Sequence, residues 1–259
     1  MKLFSKTLIG LALSGMVGTA SAGVIKFEAA YGADDANAAA AAFSDSTYNG
    51  ITETFDDPIN SYTITNETYE ASGATGDQAT WVVGGSAFET SVGTFTMTAP
   101  NTASNGNIRN DLLMIEDDTT GEFGRNMAYD SQWLDSNDAD QVTWDIIDSN
   151  YNALGFFLSD ANDQGATLEF LFSNGDSSTL TFKGPATGDG RQPNGNIAYI
   201  TLFSDVAFTG VNLLFDNGEG NADGWGIDNV SLARVPEPGT LALLGLGLLG
   251  LAIGRSRKA

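Results

Sequence analysis

The chain has 259 residues, with 33 acidic and 11 basic side chains, no His and no Cys. Five of the bases lie in the first six or last five positions, so the body between them sets 6 bases against all 33 acids, a net charge of about −27. That surface repels phosphates and excludes DNA and RNA as partners, while the missing imidazoles and thiols exclude Ser-His-Asp catalysis, thiol nucleophiles, Cys-based zinc sites and disulfides.

Residues 1–22 read "MKLFSKTLIGLALSGMVGTASA". Lys2 and Lys6 precede an apolar run from Leu8 to Val17, and Ala20-Ser21-Ala22 place small residues where signal peptidase needs them. This is a secretory signal peptide handled by the general secretion machinery, with cleavage expected before Gly23. Residues 23–50 form an Ala-rich lead-in. There "DDANAAAAAF" predicts a helix, lying on the sandwich or in the lead-in, since Ala is the best helix former and Asp34 or Asp35 can cap it.

From 51 to 234 the pattern is β almost throughout: short alternating runs separated by Gly, Asn, Asp and Ser. The clearest is Thr167–Phe172, where Leu168, Phe170 and Phe172 share a face. "SNGDS" then turns the chain into Ser178–Lys183, so these two runs make a hairpin. Similar runs fall at Ile51–Phe55, Tyr62–Thr65, Thr80–Val83, Thr94–Thr98, Leu112–Ile115, Val142–Ile147, Leu154–Leu158, Ile197–Phe203, Val211–Phe215 and Trp225–Leu232. Many strands with no helices between them predict antiparallel pairing in an all-β, two-sheet, jelly-roll-like β-sandwich. No internal repeat is present.

Strand parity singles out two carboxylates. Glu53 shares a face with Ile51 and Phe55, and Asp228 shares parity with Val230 and Leu232. A bare buried carboxylate is costly, and a hard cation with oxygen ligands removes the conflict, so Glu53 and Asp228 are candidate ligands for a structural Ca2+, with Asp216 and Asp223 nearby in sequence. The competing reading is a β-bulge at Gly226 that shifts the parity and leaves Asp228 a solvated or turn-capping residue. They lie on the first and last clear strands, which commonly pair. "DANDQG" from Asp160 opens like a calcium loop but has Leu171 where a bidentate Glu is needed, and it reads as a turn. The acidic stretches "IEDDTTGE" and "LDSNDAD" read as solvated loops. Among the aromatics, Trp144 shares parity with Val142 and Ile146 and belongs to the core, whereas Trp133 follows a polar "YDSQ" and is the candidate for stacking on a sugar.

At the C-terminus, Pro236-Glu237-Pro238 precedes 16 uncharged residues, 239–254, and then Arg255, Arg257 and Lys258. As a helix the uncharged run spans about 24 Å at ~1.5 Å per residue, a marginal transmembrane segment. The prolines keep the approach extended, and the bases stop transfer on the cytoplasmic side of the inner membrane. The whole of 235–259, "VPEPGTLALLGLGLLGLAIGRSRKA", resembles the PEP-CTERM sorting signal of Gram-negative bacteria. That resemblance implies an exosortase as partner, a cut near Pro236, Glu237 and Pro238, transient anchoring, and delivery to the cell surface or an exopolysaccharide matrix. A plain C-terminal anchor is the competing reading. "DGWGIDNVSL", with an acidic residue by Phe55, resembles the two ends of secreted jelly-roll domains, including carbohydrate-binding modules, which implies a structural calcium held by Asp228 and, less directly, Glu53.

The expectation is therefore an exported, non-enzymatic β-sandwich of the surface or matrix. Its first alternative is a calcium-stabilised carbohydrate-binding module. The second is a carboxylate-dependent glycoside hydrolase or lyase, the catalysis that Asp and Glu alone can support. N-terminal sequencing of the exported protein is expected to begin at Gly23; a chain that retains Met1 outside the cell would refute the signal-peptide reading.

Overall fold

The computed structural model describes residues 26–69, 81–99, 112–116, 131–136, 139–160, 166–181, 195–215 and 225–235. The expected signal peptide, Pro236 to Pro238, the 239–254 segment and the basic tail lie outside the described residues. Among the described residues no helix is long and apolar enough to cross a membrane.

Alternation of apolar and polar residues gives each strand one greasy face, and two sheets meet to bury them. The first sheet runs in the order β1 (Lys26–Tyr31), β13 (Ile197–Phe203), β10 (Ala153–Ser159), β15 (Gly226–Arg234), β8 (Trp133–Asp135), β7 (Leu113–Glu116) and β4 (Trp81–Gly85), and β2 (Tyr48–Glu53) also pairs with β15. The second runs β12 (Ser177–Thr181), β11 (Ala166–Phe172), β14 (Phe208–Phe215), β9 (Gln141–Ile146), β6 (Gly93–Ala99), β5 (Ala87–Thr90) and β3 (Thr63–Thr65). Every strand pairing among the described residues is antiparallel. The predicted two-sheet sandwich is present, and so is the β11–β12 hairpin, whose turn is closed by Asn174 and Asp176 bonding each other across Gly175.

Between the sheets, Leu154, Phe156, Ile200 and Leu232 of the first meet Phe95, Trp144, Phe170 and Leu213 of the second, all buried. Trp144 stacks on Phe95 with ring centroids 5.3 Å apart, and its indole N–H donates to the Val92 carbonyl at 3.1 Å, so the polar edge of a core tryptophan is satisfied. The first sheet is covered on its other face too. Helix α1 (Ala33–Ser46) lays Ala36 and Phe43 against Phe157, Tyr199 and Ala233. Burial on both faces explains why β10 reads "ALGFFLS" and is buried at every position rather than alternating.

Three features differ from expectation. Residues 26–31 form a strand that the sequence does not mark, β1, paired with β13 along its whole length, while α1 packs on the sheet, one of its two expected placements. The helix has no side-chain cap; it starts at Gly32, whose carbonyl accepts the Ala36 N–H, and Asp34 and Asp35 sit inside the first turn, where the helix dipole favours them. Strands β1, β5 and β8 were not among the predicted runs.

The outer face of the second sheet sets polar side chains beside Leu171 and Leu214. Thr98, Thr143, Asn212 and Glu169, from four neighbouring strands, form a hydrogen-bonded row: Thr98 with Thr143 at 3.5 Å, Thr143 to Asn212 at 3.0 Å, Asn212 to Glu169 at 2.9 Å.

Gly93 opens β6 with φ of 127°, and a Cβ there would overlap the Asp145 carbonyl oxygen and lie 2.8 Å from the Ile147 nitrogen. Gly175 has φ of 87° but open space around it. In thermal melts Gly93→Ala is expected to destabilise the body by about 1–3 kcal/mol from overpacking, on top of a backbone cost of ~1 kcal/mol that Gly175→Ala shares. Equal melting temperatures for the two variants would contradict the close approach at Gly93.

Candidate functional site

The free edge of β15 is shared by two strands. Gly226 and Ile227 pair with Asp135 and Leu134 of β8, while Val230 to Arg234 pair with β2. The predicted pairing of first and last clear strands is thus present, with Val230 opposite Glu53. Asp228 and Asn229 fall in the gap between β8 and β2. There β15 also bulges against β10, since Gly155 pairs with Ser231 but Phe157 with Asp228. Asn229 takes φ of 47°, a left-handed conformation Asn tolerates.

This bulge reverses the parity that the alternation of residues suggests. Ile227, Val230 and Leu232 all belong to the inter-sheet core, whereas Asp228 lies on the other face with its partner Phe157, on the side of α1. Asp228 and Glu53 therefore sit on adjacent strands but on opposite faces of the sheet.

Glu53 is nearly fully buried and held by four donors: the Phe55 N–H at 2.9 Å and the Tyr62 hydroxyl at 3.1 Å on Oε1, the Ser91 N–H at 3.0 Å and its hydroxyl at 2.8 Å on Oε2. Ser91 lies in the β5–β6 turn of the second sheet, so this carboxylate clips the two sheets together. Burial, then the Glu53 charge, raise the Tyr62 hydroxyl pKa and keep it a donor. Four protein donors thus surround the carboxylate for which a cation was the expected partner. Among the described residues no group of three acidic side chains gathers to hold a metal; Asp216 and Asp223 lie outside them.

Asp228 is fully buried and less well served. Oδ1 accepts the Asn229 N–H at 2.6 Å and Oδ2 the Ser131 hydroxyl at 3.3 Å. Desolvation lifts its pKa from 3.8 to about 7; the two hydrogen bonds oppose this, and the Asp56 and Glu53 charges add to it. Asp56 is exposed and accepts the Gln132 N–H at 2.8 Å. Asp228 and Asp56 thus bind groups of the segment leading into β8 and close the gap on β15 with carboxylate oxygens.

Beside this gap an open groove of ≈ 690 Å³ runs between the C-terminal half of α1 and β2–β15. Its lining includes the buried Phe43 and Tyr199, the polar Asp56, Ser131 and Asn229, and Tyr48, which is 42% exposed. Thr52 and Ser231 hydroxyls bond at 2.8 Å across the β2–β15 pair beneath it.

Trp133, the candidate for stacking on a sugar with a buried ring as its alternative, is 0% exposed. Its ring packs where a side chain at Gly226 would stand, and it belongs to the cluster under α1. The aromatic that does reach solvent beside a groove is Tyr48, which no pattern in "STYNG" distinguishes.

Two antiparallel sheets around one core define the body as a β-sandwich, and its closing strand passes directly into the C-terminal segment. The model of the PEP-CTERM protein-sorting motif matches residues 234–258, beginning on the last residue of β15. The chain therefore carries a PEP-CTERM sorting motif, which implies export, anchoring through the C-terminus and exosortase-mediated sorting. No curated protein matches the chain. Among solved structures, a family 61 carbohydrate-binding module in complex with β-1,4-galactotriose is 10% identical over 47% of this chain and 81% of its own, with a TM-score of 0.27. A family 29 carbohydrate-binding module is 12% identical over 67% of this chain and 92% of its own, TM-score 0.25. The enzymatically active domain of tailspike protein 4 of bacteriophage CBA120 is 15% identical, over 74% of this chain but 21% of its own, TM-score 0.27.

The raised pKa of Asp228 sets a pH dependence. The folded state holds this proton up to about pH 7 and the unfolded chain releases it near 3.8, so the group's contribution to stability falls as pH rises from about 4 to 7. Asp228→Asn keeps an oxygen for the Asn229 N–H and removes the buried charge. In metal-free buffer it is expected to melt above wild type at pH 8, by a few kcal/mol at most, with the gap closing towards pH 4. A gap that does not change with pH would contradict the assignment.

Proposed function

We propose that this protein is an exosortase-sorted, non-enzymatic β-sandwich of the bacterial surface, associated with exopolysaccharide. The carrying observation is the sorting motif that begins on the final residue of β15, so that the address is a direct continuation of the folded body. A non-enzymatic role is supported by the absence of His and Cys and by the structural work of the buried acids: Glu53 clips the sheets, and Asp228 and Asp56 close a strand gap. Mass spectrometry of the processed protein is the test. Loss of residues 1–22 and of the segment beyond the Pro236–Pro238 bracket is expected, and replacing all three of Pro236, Glu237 and Pro238 by Ala should leave the full C-terminus in the membrane fraction. A surface protein that retains Arg255 to Ala259 would favour the plain anchor.

A second reading, saccharide binding, is favoured by the groove at Tyr48. Its exposed aromatic, its Asn49 and Asn229 amides and its Asp56 suit hydroxyl-rich, uncharged glycans; an anionic one would meet Asp56 and a strongly acidic body. Calcium would lie at Asp228 with Asp56, which a cation would relieve of their mutual repulsion. On a glycan array run with and without calcium, Tyr48→Ala is expected to weaken any hit about tenfold, the worth of one stacked ring. Calcium that raises the wild-type melting temperature at pH 8 but not that of Asp228→Asn would support the cation; equal responses would dismiss it.

A further inference from the structure

β15 stays bound to the body up to the point where the sorting motif takes over. Arg234 pairs with Tyr48 in the ladder, and its Nε donates to the Asn150 carbonyl at 3.0 Å. One residue on, the Val235 N–H donates to Asn152 Oδ1 at 3.1 Å. Asn152 is itself fixed, because its N–H donates to the Ala233 carbonyl at 3.2 Å and its carbonyl accepts the Ser204 N–H at 2.9 Å. These contacts border a polar hollow of ≈ 270 Å³ that includes Tyr48, Asn150, Asn152, Asp205 and Arg234.

Pro236 follows Val235 directly, and three residues separate Val235 from Gly239, where the uncharged run begins. Fully extended, that is about 10 Å of chain. Enzymes that cut peptides commonly take the substrate as an added strand, through main-chain hydrogen bonds on both sides of the scissile bond. On the N-terminal side of a cut at Pro236–Pro238, those main-chain groups are already engaged with the body.

Resting on the sorting reading above, we infer that Asn152 is a positioning residue for processing: its side chain latches the end of β15 to the body and limits how often the exosortase gains the bond it cuts. The cut itself breaks one peptide bond. The acyl carbon passes to water or to an acceptor amine, and the leaving nitrogen takes up a proton. The latch changes none of this chemistry; it sets the fraction of chains whose last strand residues are free to enter the enzyme.

The test is pulse-chase of the full-length chain in an exosortase-bearing Gram-negative host, following conversion of the anchored to the shortened form. Asn152→Ala removes the acceptor for the Val235 N–H and is expected to speed conversion several-fold, up to about tenfold, as expected for one backbone hydrogen bond. Asn152→Asp keeps an acceptor oxygen and should convert at the wild-type rate, a difference that general loosening of the body would not produce. A four-residue Gly-Ser spacer between Val235 and Pro236 leaves every contact of the body intact and should also speed conversion. Wild-type rates, or slower ones, for both Asn152→Ala and the spacer variant would overturn the latch while leaving sorting in place. A wild-type chain that is never shortened would overturn the sorting reading and the latch with it.

Discussion

A strand in the middle of a sheet must satisfy its backbone on both edges, and β15 does so with three partners. β10 covers one edge; β8 and β2 divide the other. Because β2 comes early in the chain and β15 ends the described body, this sharing ties the two ends of the fold together. The division leaves a gap at Asp228–Asn229 that no strand among the described residues fills. The bulge, the buried carboxylate, the turn-in of the segment before β8 and the adjoining groove all follow from that gap. Main-chain groups that cannot find a ladder partner must find another, and here the Asp228 and Asp56 carboxylates accept the Asn229 and Gln132 N–H groups.

Glu53 and Asp228 show how differently two buried carboxylates can be housed within one strand of each other. Glu53 has four well-placed donors from three separate segments, so its charge is spread over groups that would otherwise need partners themselves. Asp228 has two, and burial wins, lifting its pKa to about 7. The first is a fastener between the sheets. The second is a point of stored electrostatic cost, the kind of position where a proton or a cation changes the stability of the whole body.

Much of the architecture was legible because alternation is a direct imprint of a half-buried sheet. Each of the runs from Ile51 to Leu232 falls on a strand, and Trp144 is in the core as its parity indicates. The strands not foreseen had weaker imprints: β8 is three residues long, and β1 sits at a sheet edge where fewer of its side chains are buried. The site was less legible for a specific reason. One extra residue in β15 inverts the facing of everything on one side of it, and nothing in "GIDNVSL" marks the bulge except Asn229, a residue that accepts positive φ. Trp133 misled for the opposite reason: its polar neighbours suggested exposure, but α1 covers that face of the first sheet and Gly226 leaves room for its ring.

The row of Thr98, Thr143, Asn212 and Glu169 has a meaning for the protein's surroundings. Hydroxyl, amide and carboxylate groups repeat there at the interstrand spacing of about 4.8 Å and are already bonded to one another. Among the described residues only Tyr48, Tyr69 and Ile147 are large exposed apolar side chains. Such a row holds water along the sheet. Copies crowded together would be held apart by their shared negative charge and by the water each one carries.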